Sequence, residues 1–137
     1  MSDITLGRSS ARRPPILLSE DAHGILVGLA MRGARRTPEA ARLLLEEADR
    51  ARLVPEARLP ADVVALGSRV TFTDEASGVT RTVQVVLPSE ADIGQGRISI
   101  LSLVGAGLIG LRAGQSIDWP VQDGRLRRLT VTEVTAP

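Results

Sequence analysis

The stretch RVTFTDEASGVTRTVQVVL, Arg69 to Leu87, decides the fold. Val70, Phe72 and Asp74 alternate with Arg69, Thr71 and Thr73. Past the Ser77-Gly78 turn, Val83 and Val85 alternate with Thr82 and Gln84. Period-two alternation on both sides of a Gly-bearing turn reads as a β-hairpin with one buried face. The same period returns downstream. Ile98, Ile100 and Leu101 form a short strand after the polar loop Pro88 to Gly96. Ser116 to Val121 and Leu126 to Val134 form a last hairpin around Asp123-Gly124. Between them Val104 to Leu111 is apolar and punctuated by glycine, which reads as a short buried helix. The C-terminal part is therefore expected to be an antiparallel sheet of about five strands with one crossing helix.

Upstream the period is 3.6. Ser19 is a suitable N-cap, with Glu20 and Asp21 in the first turn, where the helix dipole favours acids. Ala22, Ile25, Leu26, Leu29 and Ala30 recur at helical spacing to Ala34. A second helix starts at Thr37-Pro38-Glu39 and carries Ala41, Leu44, Ala48 and Ala51 on one face, ending near Leu53 before Pro55. The connection Arg32 to Arg36 is too short for anything but antiparallel neighbours. The expected architecture is α+β. Residues 1–15 form a flexible tail, residues 16–57 a projecting helical hairpin, and residues 58–137 a β-rich domain. The hairpin tip carries Arg32, Arg35 and Arg36, with Glu39 as the only acid beside them.

Composition excludes several chemistries. The 137 residues include no Cys, one His, one Phe, one Trp and no Tyr. Disulfides, thiolate zinc sites and cysteine nucleophiles are out. His23 sits among apolar helix residues without a Ser or Asp partner set. The run Gly105-Ala-Gly-Leu-Ile-Gly110 has the letters of a dinucleotide fingerprint but lacks the βαβ context; its glycines suit a helix packed tightly over a sheet. All seventeen basic residues are Arg, against sixteen acids, a net charge of +1. That balance does not furnish the dense basic face that nucleic acid binding needs. No apolar run is long enough to span a membrane, and the start lacks a secretory pattern. The cytoplasm is the expected compartment. No cofactor or metal is expected, and neither is sequence-specific nucleic acid binding.

Several blocks then resemble one family. They are Asp62-Val63-Val64, Gly67-Ser68-Arg69-Val70, Gly78, Pro88-Ser89-Glu90-Ala91-Asp92, Gly96 to Ser102, Val104 to Leu111, and Gly114. Together they resemble the C-terminal domain of the Gre transcription elongation factors. The short arm, the proline-bearing linker Pro55 to Pro60 and Ser116-Ile117-Asp118-Trp119 are similar to the Rnk branch, the regulators of nucleoside diphosphate kinase. The resemblance implies an FKBP-like fold for the C-terminal domain and a short coiled coil for the hairpin. It implies binding of bacterial RNA polymerase at the secondary channel, in competition with other channel-binding factors. Gre factors stimulate transcript cleavage through an acidic pair at the arm tip that helps hold Mg²⁺. The tip here, Arg32, Arg35, Arg36 and Glu39, departs from that pattern, so a non-catalytic regulator is expected. The family's docking step before the crossing helix falls here on Leu101, Ser102, Leu103, Val104 and Gly105, with Ser102-Leu103 in place of Ser-Pro. Prolyl isomerisation, the other activity of an FKBP-like fold, needs an aromatic lining that Phe72 and Trp119 alone cannot build. The alternatives are a Gre-like cleavage factor that uses Glu39 and a generic interaction module. A monomer is expected, with weak dimerisation through the Gly-bearing helix as the alternative.

Overall fold

The computed structural model describes residues 13–121 and 124–137. Residues 1–12 of the expected tail, and Asp123 of the last turn, lie outside the described residues. The elements in chain order are β1 (Leu17–Ser19), α1 (Glu20–Gly33), α2 (Pro38–Arg50), β2 (Arg52–Val54), β3 (Arg69–Asp74), β4 (Val79–Val86), β5 (Arg97–Ser99), α3 (Leu103–Leu108), β6 (Ser116–Pro120) and β7 (Leu126–Thr135).

The two helices start where capping chemistry places them. Ser19 Oγ accepts from Ala22 N at 3.0 Å and opens α1. At α2 the Thr37 hydroxyl instead donates back to Gly33 O at 3.1 Å, and Pro38 supplies a preset first turn. The second helix stops at Arg50, short of Leu53. Arg52 to Val54 leave the helix to pair in parallel with Leu17 to Ser19, and Arg52 N donates to Ile16 O at 3.0 Å. This two-stranded ladder satisfies backbone groups that would otherwise be orphaned as Ile16 and Leu18 are buried. Arg13, Pro14 and Pro15, the end of the stretch expected to be a tail, are also tied down. Pro14 O accepts from Arg50 and Pro15 O from Gln115.

The main sheet has five strands in the order β5-β4-β3-β7-β6. Val70 pairs with Val83 and Phe72 with Arg81 in the first hairpin, as the alternation requires. The sheet is mixed and departs from the antiparallel expectation: β5 runs parallel to β4. Two 3₁₀ turns, Pro88–Glu90 and Ile93–Gln95, carry the chain back along the edge so that it re-enters in the same direction. Opposite β3, the β7 register slips at Thr71/Phe72, a β-bulge.

One aliphatic core joins arm and sheet. It contains Leu26, Ala30, Leu44 and Ala48 from the helices, with Val70, Val85, Ile100, Leu108, Ile117 and Val131 from the domain. Trp119 is fully buried within it, and its Nε1 donates to Leu103 O at 2.7 Å. A Cβ on Gly107 would fall 2.7 Å from the Trp119 ring, and one on Gly105 would collide with the Ser99 carbonyl. The glycines of α3 thus permit the close helix-over-sheet approach expected of them. The shared core corrects the picture of a projecting hairpin. The helix pair lies along the domain because the stripe on α2 is buried against it.

Candidate functional site

The turn between α1 and α2 presents Arg32, Arg35 and Arg36 to solvent. None of the three forms an ion pair among the described residues, while Glu39, at the start of α2, is also exposed. Four charged side chains therefore surround the tip, three of them cationic.

The loop before α3 lies beside that tip. A Cβ on Gly33 would sit 2.6 Å from Leu101 Cδ1, so the turn and the loop meet through a missing side chain. The loop itself is held from within. Leu101 N donates to Ser99 Oγ at 2.9 Å, and the Ser102 hydroxyl donates to Ser99 O at 2.6 Å. Ser102 Oγ in turn accepts from Gly105 N at 3.0 Å and caps α3. The Ser102 hydroxyl is thus engaged in building the loop. Leu101, Ser102, Leu103 and Val104 stay partly exposed, while Gly105 is buried. A partner can touch the first four directly, whereas Gly105 acts by letting the backbone close up.

The start of α2, with Glu39 of the tip, and the loop border one cleft of about 920 Å³. Thr37 to Ala40 form one wall and Leu101 to Val104 another. Phe72, Ile98 and Leu129 form an apolar floor. Ile93 at 83% exposure and Val79 at 51% stand at its edge. Asp74, Arg81 and Arg127 line the end of the same sheet face. Arg127 Nη1 lies 2.8 Å from Asp74 Oδ2. That guanidinium, helped by the Ala76 and Ser77 backbone, holds the Asp74 carboxyl below its ordinary value of 3.8. Arg81 makes no ion pair among the described residues.

Sequence reasoning missed Arg81, Arg127 and Ile93. The signal for the first two was present. Arg81 belongs to the inward series Val83 and Val85, and Arg127 to the series Leu129 and Val131. A charge in an inward series at a strand end marks an uncovered part of the sheet. Ile93 lay among turn formers with no periodicity to flag it.

No cluster of three or more His, Asp or Glu able to hold a metal occurs among the described residues. No described helix is long and apolar enough to cross a membrane. The arrangement offers an apolar concavity bordered by two carboxylates, Glu39 and Asp74, and two guanidiniums, Arg81 and Arg127.

A family model for the C-terminal part of the transcription elongation factors GreA and GreB matches residues 59–136. The regulator of nucleoside diphosphate kinase of Escherichia coli K12 is 34% identical over 123 residues, which is 89% of this chain and 90% of that protein. Transcription elongation factor GreA of Azorhizobium caulinodans is 37% identical over 91 residues, 66% of this chain and 57% of the relative. The solved structure of the GreA/GreB elongation factor from Nitrosomonas europaea superimposes with a TM-score of 0.66 at 31% identity, over 90% of this chain and 99% of that one. The match to the regulator runs through arm and domain alike, whereas little more than half of the Azorhizobium factor is matched. The chain belongs to the GreA/GreB transcription elongation factor family, on the branch of the regulators of nucleoside diphosphate kinase.

Proposed function

We propose that this chain is a non-catalytic transcription regulator. It binds bacterial RNA polymerase at the secondary channel and competes there with Gre-type factors. The docking face is the cationic tip, Arg32, Arg35, Arg36 and Glu39, together with Leu101 to Val104, while the buried Gly105 shapes the loop behind them. The observation that carries this reading is the charge of the tip. A Mg²⁺ ion needs several oxygen ligands, and the tip offers three guanidiniums and one carboxylate. The short arm supports the same reading. Helices of 14 and 13 residues reach about 20 Å at 1.5 Å per residue, and they lie against the domain. Such an arm suits the mouth of a channel rather than its depth.

A pull-down on core RNA polymerase tests the proposal. The chain is retained, and excess GreA displaces it. Stalled complexes incubated with the chain keep their transcripts at full length. Shortened transcripts that return to full length with Glu39→Ala would establish a cleavage factor instead.

A further inference from the structure

A single guanidinium touches both halves of the molecule. Arg13 precedes β1. Its Nη1 donates to Glu46 Oε1 at 2.9 Å and to Glu47 Oε2 at 3.2 Å, both on α2. Its Cζ lies 5.0 Å from the centre of the Trp119 ring, on β6 of the domain. Trp119 is bonded in turn to Leu103 O, at the start of α3.

The carboxylate at the centre of this contact is unusual. Glu47 is 0% exposed. Arg50 holds it from its own helix, with Nε at 2.9 Å and Nη2 at 2.7 Å, while another Arg50 nitrogen bonds to Pro14 O. A buried carboxylate persists only when its oxygens are satisfied. Arg50 satisfies them from within α2, whereas Arg13 reaches them from outside the arm.

Apolar packing holds the arm down but has little directional preference. Ala40, Ala41 and Ala48, all buried on α2, offer only short side chains to that packing. A buried, hydrogen-bonded charge has one favourable geometry. We infer that Arg13 is a positioning residue that sets the angle of the helix pair on the domain through Glu47 and Trp119. It thereby keeps the Arg32 to Arg36 turn beside Leu101 to Val104. What this means for polymerase binding rests on the proposed function; the geometry does not.

The absence of Cys makes the test clean. Spin labels at A34C, on the turn, and A91C, on an exposed domain loop, report the arm's position in the full chain by pulsed EPR. The parent gives one narrow distance distribution. Arg13→Ala at least doubles its width. Arg13→Lys, which keeps the charge but loses the planar fork and the stacking, falls between the two. Glu46→Gln, at the exposed end of the contact, leaves the width unchanged. A role in stability alone would lower the melting temperature of Arg13→Ala while the width stayed at the parent value, and that result overturns the inference. Should Arg13→Ala fail to fold, Arg13→Lys decides, and a width equal to the parent overturns it. Polymerase is absent from the measurement, so its outcome is independent of the binding assay.

Discussion

Two residues, Glu47 and Gly107, hold positions that tolerate little change. Glu47 is enclosed by Arg13 and Arg50. Glu47→Gln leaves two partly buried guanidiniums facing a neutral amide and should cost about 3 kcal/mol, read from the urea midpoint. Gly107 faces the rigid Trp119 indole, so Gly107→Ala overpacks the core by about 2 kcal/mol. The indole is the only Trp, and its emission reports the loss directly. Gly33 makes an equally close approach, but to the free end of Leu101, which can rotate away. Gly33→Ala should therefore stay within about 0.5 kcal/mol of the parent. Equal losses at positions 33 and 107 would contradict this distinction.

At the scale of elements, two ion pairs tie pieces together and respond to acid. Arg13 and then Arg42 hold the Glu46 carboxyl below its ordinary value of 4.5, and Arg127 holds Asp74 below 3.8. A carboxyl lowered in the folded state stabilises above its unfolded value and loses that contribution as pH falls through the folded value. Melting temperature should be flat from pH 7 to 5 through these pairs and should fall below about pH 4.5. Both pairs are partly exposed, so each contributes about 0.5 kcal/mol. An Arg13→Ala, Arg127→Ala double variant should lose less between pH 5 and 3 than the parent; an identical acid limb would exclude these pairs as its source. The helices, the β3–β4 hairpin and α3 were legible because local period and caps specify them. The β1–β2 ladder was not, since three-residue strands carry no alternation. The parallel entry of β5 depends on the path of the intervening loop, which the periodicity of β4 does not report. Glu47, three residues after Leu44, falls on the apolar stripe of α2 by helical period, but its partner Arg13, more than thirty residues away, leaves no mark in that local pattern.

At the scale of the whole molecule, the tip meets the pre-helix loop where Gly33 approaches Leu101, so the two proposed footholds adjoin. That union was invisible in the sequence, where Arg36 and Leu101 are far apart and the hairpin reads as a separate rod. On adjoining footholds, charge reversal should act jointly. An Arg32→Glu, Arg35→Glu, Arg36→Glu variant and a Leu101→Asp, Leu103→Asp variant should each weaken polymerase retention at least tenfold, while both keep the parent's helix content by circular dichroism. The most direct measurement is competition on core RNA polymerase with a defined backtracked transcript. Titrated GreA should displace the labelled chain completely, and the chain alone should leave the transcript uncut. Retention that persists under saturating GreA, or transcript shortening by the chain itself, contradicts non-catalytic occupancy of the secondary channel.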